Sequence, residues 1–243
     1  MKLILLAAGK SSRIFDKIKT NKCLIKIKRK PLIRYLIDNA KEVGIEDIDL
    51  VVGFKSNNIK KNLNDSSLNY IQNKKYNSTD MVFSSILALQ KCKSDAIICY
   101  TDIFFDKKIF EYLIKYKSSN ILVPHLKSWK KVWNSRKKGI FDDAETFITN
   151  KQNNLIVEIG KKINKANYKN VKGQFMGIIY LPQKKIKDFI ISYKSYNKNK
   201  VQFTEFLDFL ISKKNKISTF SYNSFWYEFD DIQDLKSFKN RNV

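Results

Sequence analysis

The sequence predicts a single α/β domain built around a doubly wound, mostly parallel sheet. Three observations predict it: short apolar runs that stop at glycine, amphipathic segments with helical spacing between them, and a regular alternation of the two through the first half of the chain. The chain has 243 residues, 43% of them hydrophobic, which is enough to bury a core of this kind.

Residues 3–7, Leu-Ile-Leu-Leu-Ala, form an apolar run closed by Gly9, the pattern of a strand buried on both faces. A polar loop is expected over residues 10–19. Pro31 opens a helix with Ile33, Leu36, Ile37 and Ala40 on one face, and Gly44 ends it. Residues 48–52 make a second buried strand that stops at Gly53. Residues 56–63 read as a helix and residues 69–72 as a short strand. Thr79 is the expected cap of a helix whose apolar face is Val82, Ile86 and Leu89. Residues 96–100 form another strand, residues 107–116 a helix, and residues 121–124 a strand. From about Lys127 the pattern changes to a loop rich in tryptophan and basic residues, then strand-like segments at 145–149, 155–159 and 175–181. Helices near 184–193 and 204–213, a strand at 217–222 and a helix from Ile232 complete the chain.

The formal charge of +24 raises a nucleic-acid hypothesis, but the lysines are scattered over every segment and form no basic stripe, so nucleic-acid binding is disfavoured. The three cysteines, Cys23, Cys92 and Cys99, lack metal-finger spacing and read as reduced, inert thiols. Residues 3–8 are too short an apolar stretch for a signal peptide and no later segment could span a bilayer, so a cytoplasmic protein is expected. His125 is the sole histidine, which leaves histidine-based acid–base chemistry poorly supplied.

Four places carry candidate chemistry. Leu6, Ala7, Ala8, Gly9, Lys10, Ser11, Ser12 and Arg13 follow the first strand directly, where open α/β sheets bind ligands. Small residues there admit a phosphate or base close to backbone N–H groups, and Lys10 and Arg13 can meet its charge. The spacing matches neither a dinucleotide fingerprint nor a Walker loop. Lys22 stands between this polar loop and an apolar stretch, as a point charge for a phosphate or a surface residue with a buried stem. Asp102 follows the strand at 96–100, a good position for Mg²⁺, which prefers carboxylate and phosphate oxygens together. Asp106 reads as a turn residue and Asp231 as the cap of the last helix. In Trp226-Tyr227-Glu228-Phe229-Asp230 the alternation puts Glu228 and Asp230 on one face of an extended segment, where they could complete a metal site with Asp102.

These residues resemble a known family. The Leu6 to Arg13 loop with the following Lys22 looks like the signature of the nucleoside triphosphate transferases that make nucleotide sugars. The choline-phosphate cytidylyltransferase-like branch is resembled further, in order, by Tyr76-Asn77-Ser78-Thr79-Asp80-Met81-Val82, Tyr100-Thr101-Asp102-Ile103, Asp142-Asp143-Ala144-Glu145, Glu158-Ile159-Gly160-Lys161-Lys162, Gly173-Gln174-Phe175-Met176-Gly177, Thr204-Glu205-Phe206-Leu207 and Trp226-Tyr227-Glu228-Phe229-Asp230. The likeness runs from Leu3 to about Phe238. Ser11 departs from a frequent glycine, Asn21 from a common proline, and Asp80 from an expected asparagine.

The resemblance implies a Rossmann-like, mostly parallel mixed sheet flanked by helices, with a small acceptor-binding insertion. It divides the single domain, 1–243, into a nucleotide-binding half (1–124) and an acceptor-binding half (125–243). The nucleotide would lie against the Leu6 to Arg13 loop, Lys22, Thr79, Asp80, Met81, Tyr100 and Thr101. Lys22 and Arg13 would be catalytic, and Asp102 with Asp230 would bind Mg²⁺. The implied partners are CTP and a small phosphorylated acceptor whose phosphate oxygen attacks the α-phosphorus, a nucleophile that needs no general base. Trp133, Arg136, Asp143, Glu145, Gln174, Trp226 and Glu228 are the acceptor-binding candidates. Aromatics and carboxylates suit an amine or quaternary ammonium, and Arg136 a phosphate or carboxylate. Singly, each tryptophan reads equally well as a staple of the insertion to the core. Phosphocholine, 2-aminoethylphosphonate and phosphoglutamine all remain open as acceptors. The alternatives are a sugar-1-phosphate nucleotidyltransferase using another NTP and a non-catalytic basic nucleotide- or nucleic-acid-binding protein. A glycosyltransferase would carry a D-x-D motif, which Asp102-Ile103-Phe104 is not.

Overall fold

The structure is a computed structural model that describes residues 1–116, 119–136, 139–150, 152–196 and 200–239, with only the backbone described for Arg13 and Lys239. Its elements in chain order are β1 (Lys2–Ala7), α1 (Ser12–Ile18), a 3₁₀ turn (Lys22–Leu24), β2 (Lys26–Ile27), β3 (Lys30–Pro31), α2 (Leu32–Glu42), β4 (Asp47–Val52), α3 (Ser56–Leu63), β5 (Asn69–Gln72), α4 (Met81–Leu89), β6 (Ala96–Tyr100), β7 (Ile103–Phe105) and α5 (Lys108–Lys115). They continue with β8 (Ile121–Leu122), β9 (His125–Leu126), α6 (Trp129–Asn134), α7 (Ile140–Asp143), β10 (Glu145–Asn150), β11 (Leu155–Lys162), β12 (Gln174–Phe175), β13 (Ile178–Leu181), α8 (Gln183–Ser195), α9 (Phe203–Ser212), β14 (Ile217–Ser218), β15 (Ser221–Tyr222), β16 (Trp226–Glu228) and α10 (Ile232–Lys239).

The central sheet has the order β10-β11-β14-β8-β13-β6-β1-β4-β5. Strands β5, β4, β1 and β6 are mutually parallel, and β13 and β11 run against the rest, so the sheet is mixed and mostly parallel. The alternation in β1 explains how helices coat both faces. Leu3, Leu5 and Ala7 point into a core shared with α2, α3 and α5, whereas Ile4, Leu6 and Ala8 point into one shared with α4, α8 and α9. A third cluster joins Ile14 and Ile27 to Tyr227, Phe229 and Leu235, and so ties the start of the chain to its end.

Several expectations change in detail. The loop expected over residues 10–19 contains α1, because Ile14 is fully buried under the C-terminal segment. One buried side chain among those described in a seven-residue helix is too little periodicity to read in sequence. The tryptophan-rich loop likewise contains α6 and α7. Asp80, not Thr79, caps α4 through its side chain, which accepts from the Phe83 amide. The strand expected at 175–181 divides at Gly177, whose φ of +74° turns the backbone out of the β region. The strand expected at 217–222 also divides, β14 staying in the central sheet while β15 joins β9 and β12 in a small sheet.

His125 is buried in that small sheet. Thr219 Oγ1 donates its one proton to the Val123 carbonyl (2.6 Å), so the His125 Nδ1 atom 2.8 Å away carries the hydrogen and donates to it. Burial pushes the imidazole pKa down to about 4, keeping the ring neutral.

Candidate active site

The carboxyl ends of β1, β5 and β6 open onto one cleft of about 380 Å³. Its rim follows from β1. The strand exits through Ala8 and Gly9 and then turns at Ser11, whose φ of 57° is left-handed. The Ala8 carbonyl accepts the Phe54 amide (3.0 Å), and the Phe54 carbonyl accepts Asn21 Nδ2 (2.9 Å). Phe54 therefore ties the β1 exit to the turn that carries Lys22. Ser11 Oγ accepts the Lys22 amide at 3.0 Å, a second tie across the same loop.

Lys22 is the centre of the cleft floor. Its ammonium lies 2.9 Å from Asp230 and 3.3 Å from Asp102. Burial pulls its pKa down, but Asp102, Asp230 and Glu228 more than offset this and hold it above the usual lysine value, so it is charged. Asp102 and Asp230 are distant in sequence and meet because β7 and β16 pair antiparallel, with Glu228 opposite Ile103. One residue beyond that register, the Phe229 amide donates to the Asp102 carbonyl at 2.8 Å. Glu228 faces the same cleft, and its carboxyl is pushed up to about 7. Burial is the main cause, and the charges of Asp102 and Asp230 add to it against the pull of Arg136.

Of the predicted nucleotide residues, Leu6, Ala7, Ala8, Gly9, Ser11, Ser12, Lys22, Thr79, Asp80, Met81, Tyr100 and Thr101 line the cleft, as do Asp102 and Asp230. Lys10 is exposed on the loop and the Arg13 side chain lies outside the described residues. Thr101 donates its hydroxyl to the Leu6 carbonyl (2.8 Å) and so clamps β6 to β1. The Asp80 carboxylate accepts from Phe83, from the Tyr193 hydroxyl (2.9 Å) and from the Val201 amide (3.0 Å).

The acceptor candidates divide differently. Only Glu228 lines the cleft. Trp133 and Trp226 stack at 6.1 Å with 6° between planes, both buried behind the cleft wall. Arg136 lies over the Trp133 ring and bonds Asp143 and Glu228 at 3.0 Å each. Gln174 uses both ends of its amide on the main chain of Glu145. Burial raises the Glu145 carboxyl above its usual range. The cleft also draws on residues that sequence reasoning did not assign to the site: Asn21, Cys23, Asn73, Tyr76, Ser84 and Gln202. Asn73 follows β5, so the strand-exit rule that found Asp102 could have found it. Gln202 comes from the α8–α9 connection, and nothing in its local sequence marks it.

Small residues at a strand exit, a charged lysine and two converging carboxylates make a site for a polyphosphate. Together with the mixed sheet they define a nucleotidyltransferase. Residues 3–152 match the MobA-like NTP transferase domain, and the chain belongs to that family. It is 32% identical to the CTP:phosphoglutamine cytidylyltransferase of Campylobacter jejuni, over 97% of this chain and 98% of the relative. In fold it is similar to the inositol-1-phosphate CTP transferase from T. maritima (TM-score 0.79, 19% identity, 98% and 93% of the two chains). It is also similar to the CTP:phosphocholine cytidylyltransferase from Streptococcus pneumoniae (TM-score 0.70, 18% identity, 98% and 97%).

Nucleotidyltransferases of this family generally use a divalent metal. Among the described residues no three His, Cys, Asp or Glu side chains cluster as a metal cage. The donor set still fits such an ion. Asp102 and Asp230 both touch one cation, the Lys22 ammonium, and two carboxylates with substrate phosphates are the ligands a hard divalent ion takes in a site without a cage. No helix among the described residues is long and apolar enough to cross a membrane.

Proposed function

We propose that the enzyme transfers a cytidylyl group from CTP to a small phosphorylated, amine-bearing acceptor of the phosphoglutamine, phosphocholine or aminoalkylphosphonate type. The observation that carries this reading is the meeting of Lys22, Asp102 and Asp230 on the cleft floor, supported by the likeness along nearly the whole chain to a cytidylyltransferase. An acceptor phosphate oxygen attacks the α-phosphorus of CTP in line. That P–O bond forms as the bond to the β-phosphate oxygen breaks, and pyrophosphate leaves with the electron pair. The β1 exit loop holds the nucleotide against its backbone, and Lys22 neutralises charge growing on the α-phosphate oxygens. Mg²⁺, held by Asp102 and Asp230, would supply Lewis-acid charge at the phosphates. Lys22 bonded to both carboxylates is compatible with this role, because its ammonium can turn toward a phosphate once the carboxylates have another cation.

The first half of the chain, 1–124, supplies most of the nucleotide wall. Glu228, Asp230 and Gln202 belong to the second half, 125–243, which we assign to the acceptor. Glu228 faces the cleft, and an adjacent ammonium would hold its carboxyl ionised, which favours an acceptor that carries an amine. Arg136, spent on Asp143 and Glu228, acts on the acceptor through the latter. The reaction suits the cytoplasm, with a product used to decorate surface polysaccharide. The test is pyrophosphate release with CTP, UTP, ATP and GTP against phosphorylated amines, phosphonates and sugar 1-phosphates. CTP with a phosphorylated amine is the expected pair, and turnover only with a sugar 1-phosphate would reject the acceptor class.

A further inference from the structure

The turn after β16 is braced in a way that the cap of α10 does not need. Asp231 and Asp234 form a reciprocal capping box: Asp231 Oδ1 accepts the amides of Gln233 (2.7 Å) and Asp234 (3.1 Å), and Asp234 Oδ2 accepts the amide of Asp231 (3.0 Å). That box is complete for the helix. Yet Asp234 Oδ2 also accepts the Asp230 amide, at 2.8 Å, one residue before the cap Asp231. On the other side the Phe229 amide is held by the Asp102 carbonyl. Residues 229–231 are therefore slung between the main chain of Asp102 and the carboxylate of Asp234. Asp234 is itself held: it is 6% exposed, its carbonyl accepts the Tyr227 hydroxyl at 3.0 Å, and its Oδ1 lies 3.9 Å from Arg136 Nε. The same guanidinium bonds Glu228, so one cation steadies the segment from Glu228 to Asp234 at both ends.

We propose that Asp234 is a positioning residue for Asp230. By accepting the amides of residues 230 and 231 it sets where the Asp230 carboxylate stands opposite Asp102, and with it the cleft's affinity for a nucleotide-bound divalent cation. The inference rests on the reading that Asp102 and Asp230 hold that cation. A carboxylate that converges on a shared ion loses affinity steeply when its support is removed, because a displacement well below 1 Å opens the ligand set.

The experiment measures CTP binding to the full chain by calorimetry, in Mg²⁺ and in EDTA, and takes the ratio of the two dissociation constants as the readout. No acceptor is present, so no turnover enters. Asp230→Ala should bring the ratio close to one. Asp234→Ala should lower it about 10-fold. Asp234→Asn, whose amide oxygen still accepts both main-chain amides, should stay within about 3-fold of wild type. Asp231→Ala removes the other half of the capping box, and should lower the melting temperature about as much as Asp234→Ala while leaving the ratio within about 2-fold. If Asp234→Ala does not fold, Asp234→Ser takes its place with the same expected ratio. Equal ratios for the Asp231 and Asp234 variants would make Asp234 a helix cap and nothing more, and failure of Asp234→Asn to rescue would reject the amide account. A full Mg²⁺ dependence in Asp230→Ala would instead overturn the metal reading itself.

Discussion

Replacing Arg136 with leucine tests whether the wall behind the cleft is an electrostatic unit. The side chain is 7% exposed, makes two 3.0 Å ion pairs with Asp143 and Glu228, and lies over Trp133. Leucine keeps apolar bulk against the ring but leaves Glu228 and Asp234 partly buried without their cation. Removing one partner of a buried pair costs about 3–5 kcal/mol, most of it the penalty on the charge left behind. That penalty depends on pH in a definite sense. Glu228 already titrates near 7, above an unfolded glutamate, because burial and its acidic neighbours outweigh Arg136. A carboxyl raised in the folded state binds protons more tightly there than in the unfolded chain. It costs nothing below the unfolded value of about 4.5, and its full penalty is felt above the folded value. Loss of Arg136 raises the folded value further, so the wild-type advantage from this carboxyl should be close to zero near pH 5 and grow only above about pH 7, to roughly 1.4 kcal/mol at pH 8, and approach the full penalty only at higher pH still. Urea unfolding of both proteins at the two pH values measures it. An equal gap at both would refute the argument, since a pure packing loss carries no proton. With the acceptor, the variant should lose binding more than turnover.

Other perturbations separate charge, strand-exit geometry and core. Lys22→Ala and Asp102→Ala should each lower the rate of pyrophosphate release by ~10²–10³-fold or more while still folding cooperatively, and near-normal turnover in either would remove it from the catalytic assignment. Gly53→Ala brings a Cβ to 2.7 Å from both the Ala8 carbonyl oxygen and the Tyr76 Cβ, so the β1 exit must shift. A loss of about 1–3 kcal/mol and a raised KM for CTP are expected, and an unchanged KM would show that the loop tolerates the shift. His125 is held neutral with a pKa of about 4 against 6.5 unfolded, so the unfolded state takes up the proton first as pH falls. Stability is unaffected above about pH 6.5 and falls by about 2 kcal/mol at pH 5. His125→Asn should lose that limb of the pH–stability curve, and persistence of the limb would assign it to other groups.

What was legible in the sequence follows the range of the interactions. The strands β1, β4, β5 and β6 and the helices α2, α3 and α4 could be read because each carries its own periodicity, unlike α1, and the strand-exit rule then pointed to the β1 loop and Asp102. Lys22 was visible as a lysine where a polar loop turns apolar. The carboxylate pair was legible in part: the alternation over residues 226–230 put Glu228 and Asp230 on one face and suggested a site with Asp102. Their actual meeting depends on the pairing of two three-residue strands, β7 and β16, too far apart in sequence for any local rule. Tryptophan in a polar segment fits a pocket and a core equally well, and the stack of Trp133 on Trp226 depends on a contact made after folding.

The same limit explains the arrangement of charge around the cleft. Two carboxylates and an adjacent glutamate crowd a half-buried floor, and without a ligand their repulsion must be met from within the chain. Lys22 answers it from the front and Arg136 from behind. The two cations are not equivalent. Lys22 carries a flexible stem and a compact charge, able to turn from carboxylate to phosphate, whereas the Arg136 fork is fixed by its ion pairs and its aromatic platform. On the proposed reading, a floor built this way meets its carboxylates with a cation that can move and releases them to a metal-bound triphosphate, the exchange falling on Lys22 with Arg136 unmoved.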